Sequence, residues 1–469
     1  MGDLNPRTIR LRRHFHRRHD VSERRGFRVA LGAVLLCAAC SEVEELAQGL
    51  FDSRTARERY EASLEVAGLA GTALARDWLS AGARALHEAP AVRSPHAEQG
   101  YLAPEQPAAL AFRVSARRGQ EIAFDVQLPG DSGALVFIDA WQIQADTVTP
   151  LRHIESADSG VRKLRFDARR DAEFVLRAQP ELLRGGRFQV SVNVGPTLAF
   201  PVSGARETDI GSSFGDPRDG GVRDHHGIDI FARRGTPVVA SAEAVVSRVQ
   251  VTQRGGKVVW LRDQRGNSLY YAHLDSQMVA QGERVEIGDT LGLVGNTGNA
   301  ISTPPHLHFG VYRRGEGPVN PYWFVYRPRG ALPQLASDTS LLGDWARTQR
   351  DGIVLRAAPD PESDTITTLP LHTAIRVIAA VGTWFRVQLP DGSGGYLTSR
   401  FAEPAEQAVR TASRSAATPV LASPAPSAGV LTEIEAGNAL PVLGRFRDFL
   451  LVRAPDGRAG WLVQEPGSE

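Results

Sequence analysis

The sequence predicts a multidomain, mainly β protein with a short helical segment near its amino terminus, and three observations predict it. Apolar and polar residues alternate at period two through much of the chain after residue 108. The runs so marked are short and bounded by turn signals such as Pro129-Gly130 and Gly185-Gly186. A block near the carboxyl terminus recurs at an offset of 65 residues. At 469 residues the chain exceeds one ordinary domain. Its net charge of +1 creates no global field toward polyanions, so no nucleic-acid partner is expected.

The first 28 residues hold nine arginines and no lysine, and Val29 to Leu36 then form an apolar run too short to span a bilayer. This is the layout of a secretory signal peptide. The small residues before Cys40 resemble a bacterial lipobox, with Cys37 where leucine is usual. The resemblance implies lipidation at Cys40, a membrane contact through that lipid and export to the cell envelope. Ser41 is compatible with outer-membrane sorting, or with a periplasmic address, in a Gram-negative cell. Only Cys37 and Cys40 exist, so no disulfide framework supports the folded domains.

From Ser53 to His87, Leu64, Ala67, Leu74 and Trp78 recur at roughly helical spacing, with Gly68 and Gly71 as weak points. This reads as a spacer or packing element. Pro90, Pro95, Pro104 and Pro107 mark a linker behind it. Period two then takes over: Ile122, Phe124, Val126 and Leu128 alternate with polar residues, as do Phe188, Val190, Val192 and Val194. A small antiparallel β-sandwich is expected here. The stretch Phe174 to Phe188 loosely resembles the pre-peptidase sandwiches of secreted bacterial proteases.

Chemistry concentrates between residues 225 and 308, which hold five of the 12 histidines: His225, His226, His273, His306 and His308. In His306-Leu307-His308 a strand's period puts both rings on one face. His225 and Asp229 lie four apart, roughly 13 Å on a straight strand, so the chain must bend between them, and Gly227 permits a bend. Two histidines and one aspartate make a three-ligand set, the pattern of catalytic rather than structural zinc.

The His-x-Gly-x-Asp, Tyr-x-His-Leu and His-x-His series, with Ser213-Phe214-Gly215, Gly235-Thr236-Pro237-Val238 and Gly288-Asp289-Thr290-Leu291-Gly292, resembles the LytM/lysostaphin-type zinc metallopeptidases. These enzymes cut peptide cross-links in bacterial peptidoglycan. The resemblance implies a β-rich domain with one zinc ion per chain held by His225, Asp229 and His308. It gives His273 and His306 the catalytic roles of orienting or deprotonating a water and stabilising the oxyanion. His226 falls at a variable position. Pro304 and Gly310 depart from the residues common in the family. Tyr271, two residues before His273, is expected to share its face and to contact substrate. Asn296 is expected to form a turn and is the weaker substrate-binding candidate.

The carboxy-terminal repeat pairs Trp384 to Gly392 with Phe449 to Gly457, each ending in a Pro-Asp-Gly hairpin signal. Val354 and Val420 open the two units, and an Ala/Ser/Arg-rich linker at about 404 to 417 separates them. Both units resemble bacterial SH3-like barrels, modules that commonly bind wall peptides. The expected layout is therefore a lipoprotein signal peptide at 1-40, a helical segment and linker at 41-105, a sandwich at 106-202, a peptidase domain at 203-328 and SH3-like domains at 345-404 and 416-466. The leading functional expectation is a zinc endopeptidase of peptidoglycan. The alternatives are a non-catalytic envelope factor that binds wall or activates an amidase, and a secreted protease for glycine-rich proteins.

Overall fold

The computed structural model describes residues 54–131, 133–145, 150–327, 334 and 336–465. The leader and Cys40 lie outside the described residues. Among the described residues no helix is long and apolar enough to cross a membrane.

Among the described residues two helices come first, Ala56–Val66 and Ala73–His87. The first starts in a capping box, with the Thr55 hydroxyl accepting from the Glu58 amide and the Glu58 carboxylate accepting from the Thr55 amide. The second presents Trp78 to the sandwich, where its ring meets Tyr60 and Phe137 edge-on and its Nε1–H donates to the Pro180 carbonyl at 2.8 Å. The helical segment is thus a packing element.

The sandwich has two antiparallel sheets. Leu110–Ala116, Ala172–Pro180, Val136–Ile143 and Leu151–Ser156 form one, and His96–Leu102, Gly186–Pro196, Gln120–Gln127 and Lys163–Asp167 belong to the other. The His96–Leu102 strand corrects the expected boundary at 106. The prolines around it read as linker, yet its alternating burial and seven-residue register with Gly186–Val192 make it a full member of the sheet. Its free edge then pairs Gln99 with Ala380 and Gly100 with Ala379, so the sheet runs on into the first carboxy-terminal unit. Gly100 is required there, because a Cβ would sit 2.4 Å from the Ile378 carbonyl oxygen.

The peptidase-like region is built on one antiparallel sheet in the spatial order Arg284–Val285, Ala244–Thr252, Gly256–Asp263, Ser268–Gln277, His306–Arg313, Ile228–Phe231 and Ile210–Ser212. One face is packed by Ile230, Leu261, Leu269, Tyr271, Leu307, Phe309 and Val311, all fully buried. Burying that face fixes the register, since a one-residue slip would turn every core side chain outward.

In the carboxy-terminal region six strands recur at the same offset, from Trp345–Thr348 and Arg410–Ser413 through to Gly394–Thr398 and Ala459–Val463. Two expectations change. Arg410–Ser413 pairs with Ala439–Val442, so the stretch read as a linker contributes a strand. The units form open antiparallel sheets rather than closed barrels, the first being continuous with the sandwich.

Candidate metal centre

His225, Asp229 and His308 meet on the face of the sheet opposite the core. Asp229 stands directly across from His308 in the strand pairing, and His225 approaches from the turn before Ile228. The bend has a more specific cause than backbone freedom. A Cβ at Gly227 would lie 2.6 Å from the His308 ring and from the Phe309 carbonyl oxygen, so only glycine lets the turn lie against that imidazole.

The donor atoms form a tight triangle: His225 Nε2 to Asp229 Oδ1 3.0 Å, His225 Nε2 to His308 Nδ1 2.9 Å, and His308 Nδ1 to Asp229 Oδ1 2.9 Å. His225 Nδ1 lies 2.7 Å from the Ser213 carbonyl, which can only accept, so Nδ1 carries the ring proton and Nε2 offers a lone pair. A lone pair of nitrogen, a carboxylate oxygen and a second imidazole nitrogen therefore converge within 3.0 Å. A divalent cation at the centre would be bound by all three at once. Backbone anchoring of the distal ring nitrogen is also the usual support of a ligating histidine. Burial works to raise the Asp229 pKa, but the two imidazoles set against its carboxylate hold it well below the usual carboxylate range. Burial lowers that of His308.

Arg218 completes the environment. It lies on a hairpin pairing Pro217–Arg218 with Arg223–Asp224, and its Nη2 donates to Asp229 Oδ2 at 3.0 Å and to Ser212 Oγ. One carboxylate oxygen thus faces the histidines while the guanidinium holds the other. Sequence reasoning missed Arg218 because nothing in its local pattern indicates a reach of eleven positions.

His273 and His306 flank the triangle. Their rings are 5.0 Å apart, and His273 is 5.9 Å from His308. His273 Nδ1 faces the Thr297 carbonyl at 2.8 Å and His306 Nδ1 faces the Pro304 carbonyl at 2.9 Å, leaving each Nε2 as the basic nitrogen. Burial is the main cause that lowers the His273 pKa to about 4, so the ring is neutral near pH 7. His226 is exposed and stacks on Phe214.

Two substrate-contact expectations are corrected. Tyr271 is fully buried on the core face, and its hydroxyl accepts from the Ser241 amide at 3.1 Å. His273 has φ +61°, a left-handed conformation that breaks the alternation and swings its ring to the open face while Tyr271 stays inside. The tyrosine on the open face is Tyr270, whose ring meets His308 edge-on at 5.7 Å. Asn296 uses its amide within the surrounding loops, accepting from Arg234 and donating to the carbonyls of Ile301 and Thr303, so both of its N–H groups hold the turn.

An acid and two imidazoles converging on one point, with two further imidazoles beside them on an open β face, define a candidate metallohydrolase centre. Residues 223–321 match the model of peptidase family M23, and residues 351–403 match that of a bacterial SH3 domain. The chain carries an M23 peptidase domain followed by a bacterial SH3 domain. It is 36% identical over 135 residues to an L-Ala--D-Glu endopeptidase of Bacillus subtilis, covering 26% of this chain and 41% of that protein. It is 38% identical over 93 residues to a peptidoglycan DD-endopeptidase of Vibrio cholerae, covering 20% and 21%. The catalytic domain of lysostaphin from Staphylococcus simulans matches at 28% identity over 24% of this chain and 91% of that one, with a TM-score of 0.23. The chain spans less than half the length of either curated relative.

Proposed function

We propose that this protein is a zinc-dependent endopeptidase that hydrolyses peptide cross-links of bacterial peptidoglycan. The observation that carries the reading is the convergence of His225 Nε2, Asp229 Oδ1 and His308 Nδ1 within 3.0 Å, a set of donors that fits one zinc ion. The printed activities of the two curated relatives support the substrate class.

Zinc held by these three residues would supply Lewis acidity, polarising a carbonyl and making a water acidic near neutral pH. His273 and His306 do the proton work. Each has its Nδ1–H committed to a backbone carbonyl, so each presents Nε2 to accept a proton from the attacking water and, once protonated, to donate to the developing oxyanion or the leaving amine. The carboxy-terminal units raise local substrate concentration by holding the wall, and lipidation at Cys40 places the enzyme in the envelope.

The test is zinc content measured beside muropeptide release from purified peptidoglycan, for the protein and for His306→Ala. Equal zinc with release only by the unmodified protein is expected. Zinc without release by either protein would reject the hydrolase and leave a wall-binding factor.

A further inference from the structure

The open face of the peptidase sheet carries more than the metal centre. Register places its side chains in rows that cross the strands. The first holds Ser212, Asp229, His308 and Ala272. Two residues along, a second row runs Gly310, Tyr270, Trp260 and Arg248, and a third runs Pro318, Tyr312, Ser268 and Arg262. Successive rows are about 7 Å apart.

The second and third rows form an aromatic surface. Trp260 and Tyr270 have ring centroids 4.4 Å apart and planes tilted by 38°, Trp260 and Tyr312 are 5.2 Å apart, and Tyr270 and Tyr312 are 6.4 Å apart. All three are only half-buried, although the core on the other side of the same sheet is sealed. Gly310 leaves the dip between the tyrosines open, since a Cβ there would meet the Tyr312 ring at 3.0 Å and Tyr270 Cβ at 3.5 Å. At the far end Arg248 and Arg262 are exposed, and among the described residues neither has an ion-pair partner.

We propose that Trp260, Tyr270 and Tyr312 form a saccharide subsite that stacks a sugar ring of the glycan strand beside the peptide being cut. This rests on the wall-cleaving reading above and adds a substrate requirement to it. The argument is one of shape and chemistry. A peptide lying across His308 runs along the first row, so a surface about 7 Å to its side is reached by what the peptide is attached to. Aromatic faces suit the C–H face of a pyranose, while the Tyr312 and Ser268 hydroxyls and the two guanidiniums at the rim suit its hydroxyl and acetamido groups and nearby stem-peptide carboxylates. A site for an extended peptide alone would need no half-exposed cluster of three aromatic rings beside its track.

The experiment compares kcat/KM for cross-linked stem peptides that keep their disaccharide with the same peptides stripped of sugar. The unmodified protein, Trp260→Phe, Trp260→Leu and Tyr312→Ser are each used after their zinc content is confirmed. Calorimetry with an N-acetylglucosamine oligosaccharide gives a readout independent of cleavage. A preference of about tenfold for the sugar-bearing substrate is expected, kept in Trp260→Phe, collapsing toward one in Trp260→Leu and Tyr312→Ser, with oligosaccharide binding weakened in parallel. Cleavage of both substrates at equal kcat/KM by the unmodified protein overturns the subsite and leaves the peptidase standing. Oligosaccharide binding that is lost in Trp260→Leu, with neither substrate cut, supports the subsite and overturns the peptidase reading.

Discussion

Two buried carboxylates in this molecule sit beside histidine, and they behave oppositely. Glu98, fully buried in the sandwich, accepts from Arg386 Nη2 at 2.6 Å and has His96 Nε2 at 3.4 Å. Asp229 has His225 and His308 at 2.9–3.0 Å on one oxygen and Arg218 on the other. At Glu98 a guanidinium from the neighbouring unit supplies the compensating charge and the cluster is closed. At Asp229 the guanidinium takes only the outer oxygen, and two imidazole nitrogens crowd the inner one. Acid beside histidine therefore does not define a metal site; what marks one is three ligand atoms meeting at one point, with no guanidinium between them to balance the charge.

The largest expected effect breaks the open cluster. Asp229→Ala should abolish stoichiometric zinc by elemental analysis and bring wall cleavage to background, whereas Glu98→Ala should leave zinc content unchanged. His273→Ala should keep zinc yet lower kcat/KM by about 10²–10⁴-fold. Parallel loss of zinc would make His273 a ligand and redraw the centre. Glu98→Ala should instead lower the unfolding free energy by about 1–3 kcal/mol, since it leaves the half-buried Arg386 guanidinium without its carboxylate. Denaturant melts of the two variants would separate the clusters cleanly. Arg218→Ala should weaken zinc by about 10–100-fold in a chelator competition without abolishing it, because it removes support from a ligand and not the ligand itself.

The closed cluster also predicts a pH response. Burial raises the Glu98 pKa, but Arg386 and His96 outweigh it and the net direction is down from 4.5. A carboxylate with a lowered folded pKa contributes its full stability above the ordinary glutamate range and loses it as pH falls through the folded value. Thermal melts from pH 7 to 3 should therefore show less acid destabilisation in Glu98→Gln than in the unmodified protein, measured as the change within each.

The sequence made the open cluster legible because its histidines and aspartate fall in two short motifs, His225-x-Gly227-x-Asp229 and His306-x-His308, that carry the family resemblance. It did not make the closed one legible, because Glu98 and Arg386 are 288 positions apart and nothing local marks either. The misplacement of Tyr271 has a similar source: one residue in the left-handed region, His273, reverses the parity that an alternation argument depends on. The sandwich boundary was hidden by Pro95 and Pro104, which flank the His96–Leu102 strand and leave its ladder intact. Pro-Asp-Gly marks the 65-residue offset of the repeat, but the opening strands are one residue out of step with a pairing of Val354 and Val420, since Ile353–Arg356 corresponds to Thr418–Leu421.

The strand pairing of Gln99 and Gly100 with Ala380 and Ala379 has a practical consequence for any shortened version of this protein. Ending the chain ahead of Trp345 would uncover the outer edge of the His96–Leu102 strand and strand Glu98 without its arginine. A bare β edge with a buried acid next to it invites another copy to dock there. Truncations meant to isolate the peptidase with its sandwich should therefore aggregate, while those that keep the chain through Val463 should stay dispersed, because Leu443, Phe449 and Trp461 belong to the same buried core as Ala346, Phe385 and Leu397.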